Sequence, residues 1–158
     1  MAVGMPDLWG VLLGGILGWG GSAVQFYLHE RRAKEERRSK RAEKFEELVA
    51  AVYAHAHWLE EVRNERVFEY KINPGMSPWA KVEALRTAYF PEFDEAMYAV
   101  SLAAKQYEAW TVEAGAKRAS GVAKFTEDHL KYYKAYLDAF GTLMNEFRAF
   151  AKHEFRGE

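Results

Sequence analysis

The chain has no cysteine. Disulfides, thiolate metal sites and thiol catalysis are therefore excluded. Proline is scarce, with four in 158 residues, and none falls between Pro6 and Pro74. Glycine is missing over nearly the same stretch, from Gly21 to Gly75. Residues 22–72 thus lack the two residue types that most strongly interrupt a helix. No segment alternates apolar and polar residues between turn signals, so no strand is expected. Internal repeats are absent, as is low complexity beyond one charged run.

Catalytic and metal motifs are missing as well. Glu-x-x-His pairs hold di-metal sites in helical bundles. The residues three before the five histidines are Phe26, Val52, Ala54, Thr126 and Phe150, none of them a carboxylate. HExxH and HxxxH do not occur, and no GxxxxGK[ST] phosphate loop follows a strand. His57 and Glu61 share a helix face, but one pair does not make a metal site. No catalytic residue, metal site or cofactor is expected. The histidines read as structural or solvated.

Charge is absent from one long stretch, Leu8 to Leu28, whose only polar side chains besides Trp and Tyr are Ser22 and Gln25. At ~1.5 Å per residue, a helix of this length spans the ~30 Å hydrocarbon layer of a bilayer while satisfying its own backbone. No Lys or Arg precedes the stretch, which disfavours a cleaved signal peptide despite the small residues Gly21, Ser22 and Ala23. A buried hairpin helix of a soluble domain is disfavoured by the many glycines. The expectation is a transmembrane helix.

The segment directly after the apolar run is basic. Arg31, Arg32, Lys34, Arg37, Arg38, Lys40 and Arg41 stand against only Glu35 and Glu36, a net +5 over residues 31–41. The positive-inside rule then places residues 29–158 in the cytoplasm and the short N-terminus outside. The same cluster can contact anionic lipid headgroups. Within the span, Gly10, Gly14, Gly18 and Ser22 recur every four residues and share one face. Small residues at that spacing let two helices approach closely in lipid. The partner would be a second copy or another membrane-complex protein.

The remainder, residues 42–158, carries a net −4, which disfavours a dedicated nucleic-acid binder. Lys117, Lys124, Lys131 and Lys134 could form a basic stripe, but a solvated face is the simpler reading. Charged residues at (i, i+4), Glu30–Lys34 and Glu36–Lys40 among them, support a solvated helix. One continuous helix is therefore expected from about residue 7 to about 71, roughly 95 Å long; a break near Ser39 is the alternative.

An apolar stripe of Phe45, Val49, Val52, Ala56, Leu59 and Val62, widened by Leu48, marks a face that packs on a core. Asn73-Pro74-Gly75 is turn chemistry. Ser77 reads as an N-cap with Pro78 in the first helical position, opening a short helix to about Tyr89. Phe93, Met97, Val100, Ala104, Tyr107 and Thr111, with Trp110 beside them, form a second stripe on a helix ending near Gly115. A loop over 115–121 precedes a last helix, 122–155. Its stripe is Phe125, His129, Tyr132, Tyr136, Phe140, Leu143, Phe147 and Phe150, broadened by Tyr133, Leu137 and Met144. High aromatic content at helical spacing is chiefly core; a partner groove holding Trp79, Trp110 and Tyr133 is the lesser reading.

The expected fold is all-α: a single N-terminal transmembrane helix (1–28), a charged basic juxtamembrane helix (29–44) and an antiparallel helical bundle (45–158). The expected function is a non-enzymatic anchored module that assembles through its glycine face and presents the bundle to a cytoplasmic partner. A membrane-permeabilising protein and an enzyme with a site inside the bundle are the rivals. The first wants a polar stripe in the span. The second wants inward ionisable groups, and His129 is the only one on a main stripe.

Overall fold

A computed structural model describes the backbone of residues 7–156 and the side chains of residues 29–155. Among the described residues the protein is all-α. The helices are α1 (Asp7–Phe68), α2 (Trp79–Tyr89), α3 (Asp94–Ala119) and α4 (His129–Ala151). A 3₁₀ turn, Pro91–Phe93, leads into α3, and a π-helical turn, Lys152–Arg156, comes after α4. No helix among the described residues is long and apolar enough to cross a membrane. The side chains of Leu8–Leu28, on which the membrane reading rests, lie outside those residues. The chain divides into two units, Met1–Arg41 and Ala42–Glu158.

The second unit is a helical bundle. Phe45 of α1 meets Phe147 of α4, and further along α1 Tyr53 meets Phe140. Those two helices are therefore antiparallel. Lys81 of α2 pairs with Glu47, and Ser77 before it reaches His55, so α2 runs back along α1. Phe93 lies near Phe45, and Thr111 near Arg66, so α3 runs with α1. The polypeptide thus goes down, up, down and up, as short connections between helices require.

The core is the stripes. Leu48, Val52, Leu59 and Val62 from α1, Met97, Val100, Ala104 and Tyr107 from α3, and Leu143 and Phe147 from α4 are all buried. Each large side chain so placed contributes roughly 1.5–3 kcal/mol. At one end Phe45 is a hub, with ring centroids of Phe90, Phe93, Phe147, Phe150 and Phe155 5.1–6.2 Å away. Two of these pairs, with Phe90 and Phe147, are edge-to-face, the arrangement the ring quadrupole favours.

Local chemistry sets the ends. Helix α1 stops at Phe68, a little before the expected boundary. Glu69 takes the left-handed conformation (φ 57°), and its N–H donates to the Glu65 carbonyl, an αL C-cap. Asn73 Oδ1 accepts from the Gly75 N–H at 3.2 Å, closing the turn. Ser77 Oγ accepts from the Trp79 N–H at 3.2 Å, and Pro78 is already helical (φ −68°), so Ser77 caps α2 as its sequence suggests. Arg86 clamps the Pro91 corner, donating to Glu83 at 2.7 Å and to Asp94 across the bend.

Two boundaries differ from the expectation. Helix α3 runs through Gly115 to Ala119. A Cβ at Gly115 would lie 2.7 Å from the Arg66 carbonyl oxygen. The glycine is there for close approach of α1 and α3, not as a stop. The stop is Gly121 (φ 75°), whose N–H donates to Arg118 O while Val122 N–H donates to Lys117 O. That is the paired bonding of a Schellman cap. Helix α4 then begins at His129 instead of 122. Bonds Glu127 N–H to Lys124 O and His129 N–H to Thr126 O make tight turns, and Asp128 is left-handed (φ 64°).

Candidate functional site

The sequence-predicted site lies in the first unit. Gly10, Gly14, Gly18 and Ser22 fall outside the described side chains. The basic residues are described, and Arg31, Arg32, Lys34, Arg37, Arg38 and Lys40 are exposed on α1; Arg41 is half-buried. Lys34 pairs with Glu30 at 2.8 Å and Arg31 with Glu35 at 3.1 Å. The hydrogen bond from Lys34 holds the Glu30 carboxyl below the usual carboxylate range. Both pairs are exposed, so they contribute little to stability. Among the described residues, Arg32, Arg37 and Lys40 make no ion pair, so Glu36–Lys40 does not form. Their charge is free for a phosphate or another anion.

In the bundle, sequence reasoning left a buried histidine off the core stripe. His55 is 3% exposed. It sits in the register Leu48, Val52, His55, Leu59, Val62, a 4-3-4-3 stripe in which the histidine takes a core position. A stripe drawn through apolar residues alone steps over it to Ala56. The imidazole is packed against Trp58 and Trp79, with ring centroids at 5.6 and 4.8 Å. Its Nδ1 lies 3.2 Å from Ser77 Oγ. Nε2 has no hydrogen-bond partner among the described residues. Burial pushes the group down to about 4, so it is neutral at pH 7.

Ser77 and His55 are within reach of each other as a nucleophile and base would be. The nitrogen that a third group would orient is unpartnered, however, and Ser77 Oγ also accepts the α2 cap bond. The pair joins α2 to α1. A cavity of about 180 Å³ adjoins it, lined also by Ser101, Lys105 and Glu108. Burial raises the Glu108 carboxyl.

His129, the ionisable residue expected on a stripe, is half-buried. It lies between Trp110 and Tyr133, with Tyr107 Oη 3.4 Å from its Nε2. Burial, and then the nearby Arg63 charge, lowers its pKa. Trp79 is elsewhere, against His55, so Trp79, Trp110 and Tyr133 do not form one groove. Three of the four lysines have local partners: Lys117 pairs with Glu113, Lys134 with Asp138, and Lys131 lies over the Tyr132 ring. Among the described residues no three His, Asp or Glu side chains converge as metal ligands would.

The fold class is that of an all-α helical bundle. Compared with protein-family models, curated proteins and solved structures, the chain matches none.

Proposed function

We propose that the protein is a membrane-anchored, non-enzymatic helical module. Residues 8–28 cross the bilayer, with the short N-terminus outside. The glycine face assembles the span with a second copy or with a membrane-complex partner. The bundle is presented on the cytoplasmic side to a protein partner. The observation that carries this reading is the pairing of an uncharged 21-residue run with an exposed basic segment directly after it. The run supplies the apolar length, and the segment supplies both the orientation signal and a surface for anionic headgroups. Exposed Tyr98 and Leu102, one turn apart on α3, offer apolar surface for a partner.

Carbonate extraction of membranes from producing cells tests the anchor. The protein is expected to stay in the pellet; release into the supernatant overturns the reading. A periplasm-active reporter fused after Glu158 is expected to stay silent, and a signal there reverses the topology. Changing Gly14 and Gly18 to Leu is expected to reduce the particle size in detergent, because each adds a large side chain at the close contact. An unchanged size removes the glycine face from the proposal.

A further inference from the structure

A cavity of about 200 Å³ opens between α1, α3 and α4. Its walls are the rings of Tyr53, Tyr107, Tyr133, Tyr136 and Phe140, and Glu60 stands among them. The rings brace one another: Tyr53 meets Phe140 edge-on at 5.5 Å, and Tyr107 stacks on Tyr136 at 6.4 Å. An apolar cavity of ~150 Å³ takes a benzene, so this one takes a molecule of roughly ten non-hydrogen atoms.

One polar group in the cavity wall is buried and unsatisfied, and a second has no protein partner among the described residues. The Tyr136 hydroxyl is buried and has no hydrogen-bond partner among the described residues. The Glu60 carboxylate is exposed and pairs with no cation among them. Burial first, and then Tyr133 and the Glu60 charge, raise the Tyr136 phenol. Burial raises the Tyr107 phenol as well, with the Arg63 charge opposing it. Arg63 is held by Asn64 Oδ1 at 2.9 and 3.1 Å, and it acts on Tyr107 and His129. The cavity lining holds Glu60 and the Tyr133 phenol but no lysine or arginine. The part of the cavity beside Tyr136 and Glu60 is therefore electron-rich, with ring faces, a phenol oxygen and a carboxylate.

We infer that this cavity binds a small organic ammonium ion, with its apolar part among the tyrosines and its N–H groups on Tyr136 Oη and the Glu60 carboxylate. Ring faces attract a cation within about 6 Å, more strongly when water is excluded. An N–H-bearing ammonium satisfies the phenol oxygen and the carboxylate together. An anion is repelled by Glu60, and a neutral molecule leaves the carboxylate unused. The inference is independent of the membrane reading, since every residue involved belongs to the bundle.

Calorimetric titration of the full chain in mild detergent at neutral pH tests it. The probes are phenethylammonium, its neutral counterpart 2-phenylethanol, and tetramethylammonium. Phenethylammonium is expected to bind at least about tenfold more tightly than 2-phenylethanol. Glu60→Gln, at an exposed position, is expected to abolish that difference. Tyr136→Phe, which removes only an unpartnered hydroxyl, is expected to weaken phenethylammonium and leave tetramethylammonium unchanged. Equal affinity for the charged and neutral probes, an unchanged phenethylammonium affinity in Glu60→Gln, or no binding heat at about 20 mM probe overturns the proposal.

Discussion

Substituting alanine for glycine inside a helix ordinarily stabilises it by about 1 kcal/mol, because alanine has less backbone freedom to lose. Gly115 is expected to reverse that sign. Its added Cβ would stand 2.7 Å from Arg66 O and 3.4 Å from Arg66 C. The first distance is well inside van der Waals contact, and the obstacle is backbone, which cannot rotate away. Arg66 O belongs to the last turn of α1, and the N–H four residues on, that of Tyr70, donates to Asn64 O instead. Moving the carbonyl therefore means moving the end of α1 off α3, together with buried Val62 and Val67. Overpacking of this kind costs about 1–3 kcal/mol. Set against the propensity gain, the net loss is up to about 2 kcal/mol, a fall in Tm of up to roughly 8 °C for a chain this size. Gly141, in the interior of α4, has nothing within 4 Å of a built Cβ. There the same change is expected to add about 0.5–1 kcal/mol. Urea unfolding of the full chain, tracked by near-ultraviolet circular dichroism, measures both variants. If Gly115→Ala stabilises as much as Gly141→Ala, the close approach of α1 and α3 is wrong.

Gly121→Ala separates contact from conformation. Nothing lies near its Cβ but φ is +75°, so a loss of about 1 kcal/mol is expected from backbone strain alone; no loss would refute the Schellman cap. Ser77→Ala removes the α2 cap and the His55 Nδ1 partner together, and unfolding is expected to show a loss of about 2 kcal/mol. A loss below that of a simple cap, about 0.5 kcal/mol, would mean the His55 contact contributes nothing. His55 also sets a pH dependence. Its pKa of about 4 in the fold lies below the ordinary histidine value of 6.5, so the unfolded chain binds the extra proton. Stability is whole above pH 6.5, falls as pH drops from 6.5 toward 4, and levels below that. Between about pH 7 and 5 the loss is about 2 kcal/mol. His129 is lowered too and adds in the same sense. His55→Gln is expected to flatten most of that slope, and an unchanged slope excludes His55 as its source.

Much of the bundle is legible in the sequence because its signals are local. The spacing of Phe93, Met97, Val100 and Tyr107 is a helix face, and all four are buried. Ser77-Pro78 is a cap, and the hydrogen bond is there. The failures are tertiary. Gly115 looks like a stop and is a contact, because only the neighbouring helix reveals which glycine is crowded. The start of α4 is misplaced by sequence because the turns over residues 122–128 retain helix-compatible composition. His55 is read only as structural or solvated because its polarity masks a core register, and its cover comes from Trp58, Trp79 and Ser77. The tyrosine cavity is half legible: Tyr107, Tyr133, Tyr136 and Phe140 read as positions on or beside the stripes. Which part of that face stays uncovered, and that Tyr53 joins it, depends on how α1, α3 and α4 meet.

The Phe45 hub has a consequence for synthesis. Its ring partners Phe147, Phe150 and Phe155 are about 100–110 residues downstream. At about 5–20 residues per second, a ribosome needs roughly 5–20 s to make that distance. Helix α1 forms far sooner, on the microsecond scale. For those seconds the nascent α1 carries Phe45, Leu48 and Val52 with only α2 and α3 to cover them, and the far wall arrives last. These long-range contacts thus close the fold at its final step, and the interval before them is when a chaperone or a misplaced apolar partner can intervene.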